Sequence, residues 1–199
     1  MSSRTAARLA LALQALYVAL TFGWRSWLHY RSTGDTGCRL GPKTPFAARV
    51  ASGLMVGGAA TGLLGTAIAA RAESRVTPRR FVALIGIIGG LLGTYRAQLD
   101  MGRSWRIGVD VDENTNLVTH GLFRYARNPI FSFMTIVGFS SFAAAPNRAT
   151  AAGAAMLAAG VEVQVRLVEE PHLQATHKDA YTTFAQRTGR FLPKIGRLR

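Results

Sequence analysis

The chain carries one cysteine in 199 residues, Cys38, and only 10 acidic side chains. A lone cysteine excludes a disulfide framework and a thiolate metal cluster. Charge of either sign is scarce: charged residues make up 17% of the sequence, against roughly 25% in an average soluble domain. The four histidines, His29, His120, His172 and His177, contain no pair at i,i+4 spacing, which removes the usual helix-borne zinc pattern. There is no Gly-x-Ser-x-Gly elbow and no phosphate-binding P-loop. The apolar stretches also lack the Asp and Glu residues that a proton relay through a membrane needs.

What is present is apolar and segregated. Hydrophobic residues reach 49%, and long Ala/Gly/Leu/Val runs are separated by short segments that hold nearly all 24 Lys+Arg and 10 Asp+Glu. A bilayer imposes that segregation, because a charge in hydrocarbon costs roughly 2.5–3.5 kcal/mol on insertion scales. The net charge of +14 does not point to nucleic acid. Its arginines border apolar spans, as at Arg71, Arg75, Arg79 and Arg80, where they serve as headgroup anchors and topology determinants.

The apolar segments are residues 9–24, 46–70, 81–95, 130–145 and 149–161, the last running on with mixed character to 168. A perpendicular span needs about 20 residues, so the third and fourth segments are short and depend on their polar flanks lying at the interface. The first could pass for a signal peptide, but it ends in Trp24-Arg25-Ser26-Trp27 rather than a small-residue cleavage site. The expectation is an all-α, polytopic bundle of about five transmembrane helices in a single domain, residues 1–199. The fourth and fifth helices form a tight hairpin around Pro146-Asn147. Small-xxx-small spacings at Gly53/Gly57, Gly58/Gly62, Gly86/Gly90 and Gly89/Gly93 predict close helix packing.

With five spans, residues 25–49, 96–129 and 169–199 share one side and hold 16 basic residues, against seven on the other side. The positive-inside tendency puts the richer side in the cytoplasm. Two polar regions fall there. One runs from Met101 to Pro129 and offers Arg103, Arg106, Arg124 and Arg127; the other holds Glu162, Arg166, Glu169, Glu170 and His172. In a regular helix, 162, 166 and 169/170 share one face. That face either neutralises itself through a Glu162–Arg166 pair or meets the arginine-rich segment to make a pocket for a zwitterionic or charged ligand.

Three motifs then appear in order. Gly121-Leu122-Phe123-Arg124 and Arg127-Asn128-Pro129-Ile130-Phe131 come first, Glu169-Glu170-Pro171-His172-Leu173 second, and Tyr181-Thr182-Thr183-Phe184 through Arg190-Phe191-Leu192-Pro193 third. Together with Trp105-Arg106, they resemble the integral membrane methyltransferases related to isoprenylcysteine carboxyl methyltransferase and phospholipid N-methyltransferase, bacterial members included. The likeness covers residues 95–193. Asn128 stands where that group most often has histidine, and Phe131 where it often has tyrosine.

The resemblance implies S-adenosyl-L-methionine as cofactor and divides the chain into N-terminal transmembrane helices, 1–95, and a cofactor-binding and catalytic half, 96–199. It implies cofactor contacts from His120, Gly121, Arg124, Arg127, Asn128, Pro129, Glu169 and Glu170. It puts Arg127, Glu170 and His172 at the chemistry. It implies as acceptor a lipophilic or membrane-associated carboxylate, amine, hydroxyl or thiol, and the partners expected are membrane lipid and that acceptor, with no nucleic acid. Two alternatives stay open: an NADPH-dependent sterol-type reductase, whose cofactor-binding half is similar in outline, and a non-enzymatic membrane or transport protein.

Overall fold

The computed structural model describes residues 3–39, 44–71, 78–108 and 116–198; Arg75 and Asp110 lie outside them. Its regular elements are helices, and among the described residues extended pairing is limited to isolated bridges. Helix α1 (Ser3–Val18) continues through a π-helical turn, Ala19–Trp24, into α2 (Arg25–Thr33). Then come α3 (Phe46–Ala69), α4 (Pro78–Met101), α5 (Pro129–Ala144), α6 (Arg148–Gln164) and α7 (Glu170–Arg187), the last two joined by a second π-helical turn, Val165–Glu169. Four rods are long and apolar enough to cross a membrane: Arg4–Thr33, Phe46–Ala69, Pro78–Ser104 and Arg148–Arg187. The expected bundle is therefore present, with four to five spans depending on the 16-residue α5.

The third span is longer than its apolar run. α4 has 24 residues, because Pro78-Arg79-Arg80 opens it and Arg96 to Met101 closes it. Basic side chains at helix ends keep their charge at the interface while their stems stay helical. The division at 95/96 thus falls inside one unbroken helix.

Glycine sets the two main helix crossings. α3 lies on α6 so closely that a Cβ on Gly58 would sit 2.7 Å from the Gly153 carbonyl oxygen, and one on Gly153 would sit 2.6 Å from the Gly62 nitrogen. α5 lies on α4 with Phe133 over Gly93 and Val137 over Gly90. Gly53 and Gly89 face open space, so the small-residue spacing marks the correct helices but only part of it is used in packing. The hairpin between α5 and α6 is present. Asn147 caps α6 by accepting from the Thr150 amide at 3.0 Å, and its side-chain amide donates to the Gly65 carbonyl of α3 at 2.9 Å.

Tyr17, Ile87, Leu91 and Val137 form the buried centre where α1, α4 and α5 meet. Polar groups inside the bundle answer one another across helices. Gln14 donates to Thr66 Oγ1 at 3.0 Å, Gln98 donates to the Thr21 carbonyl at 2.8 Å, and the Tyr17 and Thr94 hydroxyls meet at 3.3 Å. In hydrocarbon the alternative to each such bond is an unsatisfied polar group.

Candidate active site

The described parts of all three basic-rich stretches gather at one end of the bundle. Arg25 opens α2 and turns its guanidinium to the end of α4, donating to the Gly102 carbonyl at 2.7 Å and lying 4.6 Å over the Trp105 ring. His29 meets the same ring edge-on at 5.6 Å. Beyond it, Gly37 and Arg39 pair with Ile107 through two backbone hydrogen bonds of 2.8 Å. The segment Trp105-Arg106-Ile107 is thereby fastened under the end of α2.

The next segment is positioned by Asp100. Its carboxylate accepts from the Leu122 amide at 2.9 Å and pairs with Arg96 at 2.9 Å, and so holds the short 3-10 turn Gly121–Arg124 against α4. Gly121 has φ +57, and a Cβ there would lie 2.2 Å from Asp100 Oδ2. Both the backbone and the space demand glycine. Phe123 is buried by this turn, whereas His120 and Arg124 are exposed. Arg124 stacks on the Tyr125 ring at 4.7 Å and donates to its hydroxyl.

Arg127 is buried at the centre of the next contact. Its Nε and Nη2 donate to Glu170 Oε1 at 3.2 and 2.7 Å, Nη1 donates to the Ala185 and Thr188 carbonyls at 3.1 and 2.6 Å, and Nη2 also donates to the Gly196 carbonyl at 3.2 Å. A guanidinium has five N–H donors, and five donations are made here. Glu170 is gripped from the other side by Arg190, at 2.9 and 2.8 Å, and this hydrogen bonding raises the Arg190 guanidinium above its ordinary pKa. The C-terminal tail is laid down alongside. The Arg127 and Asn128 amides donate to the Gly189 and Arg190 carbonyls at 2.8 and 3.1 Å, the Asn128 side chain donates to the Arg190 carbonyl at 3.3 Å, and Ser132 donates to the Phe191 carbonyl at 2.7 Å.

The acidic face expected on a regular helix is divided. The π-helical turn at Val165–Glu169 closes i→i+5 bonds, and each extra residue rotates the downstream side chains by about 100°. Glu162 and Arg166 pair with each other on the exposed side, so the self-neutralising reading holds for these two. Glu169 turns inward and accepts from Gln164 at 3.2 Å, while Glu170 goes to the arginines.

Glu169 borders a cavity of about 180 Å³ lined chiefly by the end of α4, the Trp105–Gly108 segment, the start of α5 and the α6–α7 junction. Of the residues expected at the site, Arg127, Asn128, Pro129 and Glu169 line it; His120, Gly121, Arg124, Glu170 and His172 do not. Arg106, Trp105, Gln164 and Gln98 line it as well. Arg106 stood among the basic candidates. Trp105 stood in the segment that carries the resemblance without an assigned contact; Gln98 and Gln164 carried no role from the sequence, and neither did Arg190, although it stands inside the third motif. Gln98 and Gln164 reach the site only through the helix crossings, and no local pattern announces them.

A second cavity, of about 450 Å³, lies deeper between α1, α3, α5 and α6. Its walls are mostly Ala, Gly, Leu, Val and Met, and it shares Tyr17, Phe22, Ser52, Met55, Ile107 and Met134 with the first. The first cavity, the more polar of the two, carries charged side chains of both signs; this polar cavity thus abuts an almost wholly apolar chamber among the long apolar helices.

No curated protein and no solved structure matches the chain significantly. A family model described as phospholipid methyltransferase matches residues 78–180, more than half of the chain. The matched stretch runs from the start of α4 into α7 and carries most of the polar cavity's wall. The chain belongs to the phospholipid methyltransferase family.

Proposed function

We propose that the protein transfers a methyl group from S-adenosyl-L-methionine, held in the polar cavity, to a lipophilic acceptor lodged in the apolar chamber. The observation that carries this reading is the shared wall between the two cavities at Tyr17, Phe22, Met55 and Met134. A charged donor and a hydrocarbon-rich acceptor need different surroundings and must still meet at bonding distance.

The wall chemistry fits the cofactor. Its methionine end is zwitterionic, and Arg106 and Glu169 supply one charge of each sign on one wall. Trp105, Phe123 and Phe184 offer aromatic surface to an adenine ring. Asn128 and Pro129, at the start of α5, bring side-chain and backbone polar groups to the same space. The cofactor supplies a methyl group on a cationic sulfur, whose departure leaves a neutral thioether.

The chain's own task is alignment and exclusion of water. Arg127 and Glu170 act here as positioning residues: they hold α7 and the tail against the start of α5, so that Glu169 and Asn128 keep their places. An acceptor carboxylate arrives ionised and requires no base. An acceptor amine, hydroxyl or thiol gives up a proton, and Glu169 is the carboxylate that faces the cavity. We place this end of the bundle on the cytoplasmic side of the cell membrane, on the excess of Lys and Arg in the segments gathered there.

Calorimetry on the detergent-solubilised protein tests the reading. S-adenosylmethionine should bind and NADPH should not. A folded, helical protein that binds neither would overturn the proposal, and one that binds only NADPH would revive the reductase alternative.

A further inference from the structure

The last described stretch, 187–198, combines exposed apolar side chains with concentrated positive charge. Leu192 is 53% exposed and Ile195 is 64% exposed, with Leu198 exposed beside them. Lys194 and Arg197 are exposed between these residues and Arg187 is exposed at the end of α7, and no acidic residue follows Asp179. The segment is not loose. Arg190 and Ile195 bond each other's turn (Arg190 amide to Ile195 carbonyl, 2.7 Å), the Leu198 amide donates to the Ala185 carbonyl at 3.1 Å, and Gly196 receives Arg127. A firmly held chain that leaves three large aliphatic side chains outside the fold needs a covering surface.

Its position identifies that surface. The tail is bridged to Ala126, next to the exposed Tyr125, and Ser132, one turn into α5, donates to Phe191. At the same end of the bundle, Trp24, Trp27 and Tyr30 are exposed on the rod that carries Arg25, with Trp24 stacked on Trp27 and Arg31 over Trp27. Exposed Trp and Tyr beside Arg mark the headgroup level of a membrane protein. Leucine and isoleucine at that level favour the acyl boundary, and lysine and arginine favour anionic headgroups.

We propose that residues 187–198 form an interfacial anchor that docks on anionic lipid, with Leu192, Ile195 and Leu198 in the acyl boundary and Arg187, Lys194 and Arg197 on the headgroups. The anchor is fastened to the polar cavity through Arg127 and Asn128, so the membrane surface supports one wall of the site. The proposal depends on the membrane-spanning fold and not on the methyl-transfer reading.

The test uses the full chain with Cys38→Ser and Ile195→Cys, labelled with an environment-sensitive fluorophore in lipid nanodiscs. With phosphatidylcholine plus phosphatidylglycerol, emission should shift to the blue and acrylamide quenching should fall, relative to phosphatidylcholine alone. Adding Lys194→Gln and Arg197→Gln should lower the docked-to-undocked ratio by about 30-fold, taking about 1 kcal/mol for each basic residue at an anionic surface. Equal quenching in neutral and anionic discs would overturn the proposal. So would protection that appears in detergent and grows with protein concentration, because the covering surface would then be a second copy. All the substituted side chains except Cys38 lie on the exposed tail, and an unchanged helical spectrum separates lost docking from lost folding.

Discussion

Arg127 and Glu170 lie 43 positions apart and meet at 2.7 Å, with the arginine side chain 1% exposed and the glutamate 12%. The pair joins the first and second sequence motifs. Through Arg190 on the same carboxylate, and the Ala185 and Thr188 carbonyls on the same guanidinium, it joins the third. At this point the three motifs clasp one another.

The clasp should show in stability. Arg127→Ala leaves the buried Thr188 carbonyl without its donor, strips one donor from the Ala185 carbonyl and removes half of the grip on Glu170, so a loss of about 3–5 kcal/mol is expected. Arg127→Lys should lose most of that too, because an ammonium has three donors and no planar fork. Thermal melting in detergent measures both variants. A wild-type melting temperature for Arg127→Ala would show that the buried pair does not hold the tail.

Glu169 should behave in the opposite way. It faces the cavity and its described hydrogen bond is to Gln164, so Glu169→Gln should leave melting nearly unchanged. S-adenosylmethionine binding should weaken by roughly 10–100-fold, as for a lost hydrogen bond to a charged group. Calorimetry beside a melting curve separates the two effects. Unweakened binding with intact folding would move the cofactor's ammonium away from this residue.

Gly121→Ala should destabilise the 3-10 turn by about 1–3 kcal/mol, from left-handed backbone strain and from the clash with the Asp100 carboxylate. Proteolysis within this segment in detergent should become faster than in the wild type. Asp100→Asn is milder, because an amide oxygen still accepts from the Leu122 amide while the pair with Arg96 is lost. If Gly121→Ala melts and resists proteolysis as the wild type does, the close approach to Asp100 does not constrain the turn.

Filling the apolar chamber should separate the two substrates. Ala59 lines that chamber and not the polar cavity, so Ala59→Trp should reduce methyl transfer to a lipophilic acceptor while S-adenosylmethionine binds as before. Transfer of radiolabelled methyl into a lipid extract, measured beside cofactor calorimetry, reports both. Equal transfer rates would place the acceptor elsewhere.

The apolar runs, their polar borders and the glycine spacing are enough to specify a helical membrane bundle, because a bilayer tolerates few other backbone solutions. The short hairpin at Pro146-Asn147 and the pairing of the Arg127 and Glu169-Glu170 regions are likewise legible, since span count alone brings those segments to one side. The order of the three motifs also carries the family resemblance.

Which side chains face the cavity was decided only in three dimensions. The π-helical turn at Val165–Glu169 separates Glu169 from Glu170 and both from Glu162 and Arg166, a rotation that a 3.6-residue period cannot contain. Arg127 has its five donors taken by groups as distant in sequence as Gly196, and no local pattern encodes partners that meet only when the tail folds back. Gln98 and Gln164 reach the site from helices that read as plain spans. The abutting of a polar cavity on an apolar chamber depends on how closely α3 and α6 approach at Gly58 and Gly153, a tertiary distance. The sequence by itself therefore determined a membrane bundle with chemistry at one end, and the packing of its helices decided which residues can carry that chemistry out.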